Sequence, residues 1–224
     1  MQTVSQYPKI FRPKDDFSTV GKEKLTFYFD YVDPGSYLLD RLLDKVSVDR
    51  DHLALHPLEV CPPPKPPIDP TNPEWISYNT NIHQLARESG LDWHLPTSYP
   101  WTRKAHELSL HARDKGLEEF VHKEIFKAHF QQHLDIGRID VLVSIASKSG
   151  LDPSETKATL DVDKYSKKIH LLGLEAIHKG FKRAPLLWAE ANSLEGPANI
   201  CELRKFLKSS GIDVSNDPTS HPKS

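Results

Sequence analysis

The sequence predicts an α/β fold, a small sheet with crossing helices that is split by a long helical insertion. Three observations predict it. A β-branched and aromatic run, Leu25 to Val32, passes directly into an apolar stripe at helical spacing, Tyr37, Leu38, Leu42 and Val46. A proline-dense stretch, Cys61 to Pro70, then leads the chain away from regular pairing, and helical patterns fill the residues up to Leu160. Finally a short apolar run after Pro185, Leu186 to Ala189, restores a strand pattern and is followed by an amphipathic segment, Ile200 to Ser209.

Taken in order, residues 1–22 hold Pro8, Pro13 and a charge run without periodicity, and read as a loose arm. The first strand is expected over Leu25 to Val32. Between it and the helix lies Asp33-Pro34-Gly35-Ser36, where Asp is a favoured N-cap and Pro is at home in the first helical position. The helix therefore points its free N–H groups and positive dipole end at Asp33, the place where chemistry is expected. Leu53 to Val60 reads as a second strand, parallel to the first through the crossover helix, and Pro57 within it argues for an edge position or an early end. Cys61 to Pro70, CPPPKPPIDP, is extended and polyproline-like, a stiff connector or a motif for an aromatic groove.

Helices are expected over Trp75 to Ser89, Thr102 to Lys115, Leu117 to Leu134, Ile139 to Lys148 and Ser154 to Leu160, punctuated by Gly90, Gly116, Gly150 and Pro153. Asp163 to Lys179 is amphipathic and brings the chain back to the core, stopped by Gly180. Leu186 to Ala189 follows as a strand, Asn192 to Leu194 as a second short one, and Ile200 to Ser209 as the last helix. The expected organisation is an arm over 1–22, a core over 23–62 and 161–210, an inserted helical domain over 63–160, and a polar, disordered tail over 211–224.

The chain has 224 residues, 38% hydrophobic and 27% charged, the make-up of a soluble globular protein. A net charge of −2 gives no electrostatic reason to expect nucleic acid or an anionic membrane as partner. No apolar run approaches the roughly 20 residues needed to span a bilayer. The first 21 residues lack the apolar centre of a secretory signal, so a cytoplasmic location is expected. Of the two cysteines, Cys61 and Cys201, neither lies in a C-x-x-C, and both read as small buried or half-buried hydrophobes.

The strand, the X-Pro-X-X turn and the helix, FYFDYVDPGSYL over Phe27 to Leu38, resemble the opening of DsbA-like thioredoxin-fold proteins. That family includes FrnE-like oxidoreductases, 2-hydroxychromene-2-carboxylate isomerases and kappa-class glutathione transferases. Further pieces resemble it in the same order: HPLEVCP over His56 to Pro62, Ala105-His106, Phe126 to Asp152, Ala184-Pro185-Leu186-Leu187-Trp188, and the turn from Glu195 to Asn199. The resemblance spans residues 24 to 209 and implies a thioredoxin-like fold with a helical domain inserted after the second strand. It also implies a cis bond between Ala184 and Pro185, in a loop facing the X-Pro-X-X turn.

The family's redox chemistry needs a thiolate at the helix start and a resolving thiol three residues on. Here those positions hold Asp33 and Ser36, so dithiol–disulfide exchange is not expected. Asp33 reads two ways: as an N-cap for the first turn, or as a catalytic carboxylate that the helix end keeps ionised. Ser36 supplies a hydroxyl or packs. His106, on a helix that faces the cleft in relatives, is a candidate proton shuttle. Pro34, Ala184 and Pro185 would dock a peptide or glutathione. Trp93, Tyr99 and Trp101 would wall an apolar pocket or pack between subdomains. Asn199 stands where glutathione-using relatives place an acid-containing anchor, and reads either as a ligand contact or as a helix cap.

His129 and His133 have the i, i+4 spacing of a metal pair, but no H-E-x-x-H motif accompanies them, and no metal is expected. Two functions remain in view. One is a glutathione- or thiol-dependent isomerase or transferase acting on a small molecule; the other is a non-catalytic binding protein that keeps the docking cleft. Oligomeric state is not readable from the sequence.

Overall fold

The computed structural model describes residues 25–212 and 214, apart from 97 and 191. The expected arm over 1–22 and most of the expected tail over 211–224 lie outside the described residues. A four-stranded sheet in the order β2-β1-β3-β4 is built from β1 (Leu25–Phe29), β2 (Leu53–Pro57), β3 (Leu186–Ala189) and β4 (Asn192–Glu195). β1 runs parallel to β2, with Leu25 opposite Leu53, and antiparallel to β3, with Phe27 opposite Leu187. β3 continues antiparallel into β4.

The first helix, α1 (Pro34–Lys45), joins β1 to β2, and α2 (Pro73–Glu88), α3 (Arg103–Asp114), α4 (Glu118–Phe130), α5 (Ile139–Lys148) and α6 (Pro153–Asp161) fill the insertion. α7 (Ser166–His178) precedes β3, and α8 (Ile200–Ser209) closes the described chain.

Side chains alternate across β1, so its two faces enter different layers. Leu25, Phe27 and Phe29 join the large cluster formed by α1, α8 and the insertion helices. Tyr28 points the other way, against Ala176 of α7, Phe181 and Leu186. Every side chain of β1 but Thr26 is buried, as a run of β-branched and aromatic residues in a central strand requires. The insertion shares this core: Tyr37 of α1 stacks on Phe130 of α4 with ring centres 4.4 Å apart, and Trp93 packs beside both.

Several boundaries differ from expectation, three of them for a clear local reason. β1 stops at Phe29 because the chain turns, with the Asp33 N–H donating to the Asp30 carbonyl at 3.1 Å. β2 ends at Pro57 rather than Val60. Leu58 N–H still reaches the Phe29 carbonyl at 2.9 Å, but the Val60 N–H is diverted to the Asp30 carboxylate at 2.6 Å. β2 is an edge strand, as Pro57 indicated. α4 ends at Phe130 instead of Leu134, and His133, at φ 55°, lies beyond it, so His129 and His133 do not share a helix face. Cys61 is half-buried as expected, whereas Cys201, on the outer side of α8, is exposed.

Candidate functional site at the start of the first helix

Asp-Pro sets the local structure here. Asp33 is extended (φ −84°, ψ 115°) and caps α1, its Oδ2 accepting from the Ser36 N–H at 2.7 Å, while Pro34 takes the first helical position without wasting a donor. The same oxygen accepts the Ser36 hydroxyl at 2.6 Å, and Oδ1 accepts the Tyr78 hydroxyl of α2 at 2.9 Å. Asp33 is 1% exposed. Burial pushes its carboxyl up more strongly than the Ser36 and Tyr78 hydroxyls and the Ser36 N–H pull it down, and the Asp30 carboxylate nearby adds to the rise. The result is about 6. The expectation that the helix end keeps this carboxylate well ionised is weakened: desolvation raises its pKa towards the neutral range.

Gly35 is what lets Tyr78 come so close. A β-carbon on Gly35 would overlap the Tyr78 hydroxyl oxygen and lie 3.2 Å from Cγ and Cδ of Pro185. The turn, the α2 tyrosine and the Pro185 loop therefore meet at one point. The Ala184-Pro185 bond is cis, as the resemblance implied, and so is Pro63-Pro64, which had no sequence signal.

Behind the turn lies a second buried carboxyl, Asp30. Its Oδ1 is 3.2 Å from His106 Nε2 of α3, its Oδ2 accepts the Val60 N–H, and its own N–H donates to Ser36 Oγ at 3.2 Å. Burial alone would push Asp30 up, but hydrogen bonding and attraction from His106, with further donors in Thr102 and Val60, hold it below the ordinary carboxylate range. Beside it, the Tyr31 hydroxyl is 3.1 Å from His122 Nδ1, and His122 Nε2 is 3.3 Å from Asp40 Oδ1, which also takes Arg50 at 2.8 Å. Asp40 is buried, yet the Arg50 and His122 partners keep it well below the usual range.

The model of the DSBA-like thioredoxin domain matches residues 24–208. The chain belongs to that family. A curated relative, the uncharacterized protein YwbO of Bacillus subtilis, is 29% identical over 143 residues, covering 62% of this chain and 72% of YwbO. Among solved structures, the probable DsbA oxidoreductase SCO1869 from Streptomyces coelicolor superposes with a TM-score of 0.71 at 16% identity, covering 86% of this chain and 92% of that one. A 2-hydroxychromene-2-carboxylate isomerase follows with a TM-score of 0.66 at 15% identity, covering 84% and 94%. At such identities the structures establish the shared fold alone.

In this DSBA-like chain the turn brings Asp33, Pro34, Ser36 and Pro185 together, with Ala184 buried beside them. His106 lies two hydrogen bonds behind, bonded to the Asp30 carboxylate, while the Asp30 N–H donates to Ser36. Asn199 caps α8, its Oδ1 accepting from Cys201 N–H and Glu202 N–H while Glu202 closes a capping box. Trp101 donates its indole N–H to the Lys65 carbonyl at 2.8 Å, which ties the proline connector down, and the residue is 43% exposed. Trp93 is core packing, and Tyr99 lies edge-on to Trp75, next to Tyr78.

Sequence reasoning missed Tyr78, Asp30 and the Tyr31–His122–Asp40–Arg50 chain. Asp30, three residues before Asp33, had a readable signal in a charged residue closing an apolar strand. Tyr78 had none, since it arrives from 45 residues away.

Proposed function

We propose that this protein is a thiol-dependent isomerase or transferase acting on a small molecule, with glutathione the implied thiol and Asp33 the base that receives its proton. The observation that carries the reading is a buried carboxyl near pKa 6, at the family's active-site turn and opposite Pro185. A carboxyl poised near neutrality exchanges protons readily at working pH, which an ordinary ionised helix cap does not. The step balances simply. The thiol S–H bond breaks, the proton forms an O–H bond on Asp33, and the sulfur keeps the electron pair for addition to an electron-poor carbon. When the sulfur is expelled again or product leaves, Asp33 gives the proton back. No disulfide chemistry is assigned to the turn, because neither Asp33 nor Ser36 can form a sulfur–sulfur bond.

The isomerase among the structural neighbours agrees with a small-molecule substrate, and the family's glutathione-using branch agrees with the thiol. Among the described residues no helix is long and apolar enough to cross a membrane, in keeping with the proposed cytoplasmic location. One observation favours the second reading, a non-catalytic docking protein: both Asp33 oxygens are already hydrogen-bonded and the residue is 1% exposed.

Calorimetric titration with glutathione in two buffers of different ionisation enthalpy separates the two. Saturable binding supports the thiol enzyme, with a heat that is the same in both buffers, since the thiol proton passes to Asp33 within the complex and none is exchanged with solvent. No saturable binding removes it in favour of the docking protein.

A further inference from the structure

The Ser36 hydroxyl has no proton to offer a ligand. It donates to Asp33 Oδ2 and accepts from the Asp30 N–H, so both its roles are taken up inside the fold. The Tyr78 hydroxyl is placed differently. It comes from another element, lies over the first turn of α1 where only a glycine leaves room, and is the donor to Asp33 Oδ1. We propose that Tyr78 is a catalytic residue of this site, the hydroxyl that holds the sulfur anion once Asp33 has taken the thiol proton. This rests on the thiol reading given above.

While Asp33 is ionised, its Oδ1 is the better acceptor and keeps the Tyr78 proton. When the thiol proton arrives on Asp33, that acceptor is neutralised and the Tyr78 O–H is free to turn to the new anion beside it. The S–H bond breaks, an Oδ1–H bond forms, the sulfur keeps its electron pair, and the Tyr78 O–H bond stays intact while it changes acceptor. Tyr78 never serves as the base: burial and the adjoining Asp33 carboxyl raise its ionisation far above the ordinary phenol range. Arg183, next to the Ala184-Pro185 loop, is near enough to favour negative charge at the Tyr78 oxygen. A thiolate formed there would meet the Tyr78 hydroxyl as donor, with the Arg183 charge in the neighbourhood.

The contrary account makes the Tyr78 hydroxyl a fastener between α2 and the turn. Tyr78→Phe separates the two, because it keeps the ring beside Trp75 and removes only the oxygen. The thiolate absorbance of bound glutathione is followed against pH in parent and variant, with S-methylglutathione, which has no thiol, as a binding control. The expected result is at least about tenfold less bound thiolate at pH 7 in the variant, the size of a lost hydrogen bond to a charged group, with S-methylglutathione affinity unchanged within about twofold. An unchanged thiolate titration in the variant overturns the role of Tyr78 and leaves the thiol reading standing. A parent that binds neither glutathione nor its S-methyl derivative overturns both.

Discussion

Asp33 carries two opposing contributions to stability, and pH pulls them apart. As a cap it accepts the Ser36 N–H; as a buried carboxyl it resists ionisation, with its folded value near 6 against 3.8 for a free carboxyl. The folded state therefore holds the proton more tightly than the unfolded chain. The contribution is fully present below about pH 4 and is lost as pH rises through 6, an effect of about 3 kcal/mol. Asp33→Asn abolishes the titration but keeps an oxygen for Ser36. Urea unfolding should show this variant gaining about 3 kcal/mol relative to the parent between pH 4 and pH 7.5; a constant difference would mean that the carboxyl is not desolvated in solution. At pH 4.5, where the charge is absent, Asp33→Ala should cost about 0.5–2 kcal/mol and Asp33→Ser much less, since a serine oxygen still caps the helix.

At the scale of elements, the junction of β1 and α1 was largely legible. Asp-Pro fixed the start of the helix, the apolar stripe fixed its buried face, and the resemblance placed Pro185 opposite. What stayed hidden came from tertiary packing. Local patterning carries no trace of Tyr78 reaching the turn from α2, nor of the Asp30 carboxylate taking the Val60 N–H and so ending β2 early. Gly35 reports the packing indirectly. Alanine there would improve helix propensity, yet its β-carbon would displace the Tyr78 hydroxyl and press on Pro185. Gly35→Ala should cost about 1–3 kcal/mol in the parent and measurably less in a Tyr78→Phe background, where the oxygen in the way is gone. Equal costs in the two backgrounds would place Tyr78 elsewhere in solution. The turn itself should neither reduce insulin disulfides nor oxidise reduced substrates; activity persisting after both Cys61 and Cys201 become serine would contradict the reading of residues 33–36.

Across the whole molecule, buried polar links fasten the insertion to the thioredoxin-like core. His106 of α3 joins Asp30 at the end of β1, and His122 of α4 joins Asp40 of α1, which Arg50 also holds. The packed interior runs straight across from the sheet and α1 to the helices between β2 and α7. The histidine spacing near His129 invited a metal reading, but the physical content of this residue is burial. His129 lies among Tyr99 and Phe130, and desolvation pushes its imidazole from 6.5 down to about 4. Here the sign is opposite to that of Asp33. The unfolded chain takes up the proton first, so the contribution is present above about pH 6.5 and is lost as pH falls towards 4, by about 3 kcal/mol. The parent's stability between pH 7 and pH 4 thus contains two contributions of similar size that offset each other, and a flat profile would conceal both. His129→Leu should retain about 3 kcal/mol more of its stability on acidification than the parent does, while Asp33→Asn should lose about 3 kcal/mol more. Urea unfolding of the three proteins at pH 7 and pH 4 reads this directly. A variant that tracks the parent between the two pH values would show that its group is solvated in the folded state, and the pKa of that group, followed by NMR, would lie at its free value.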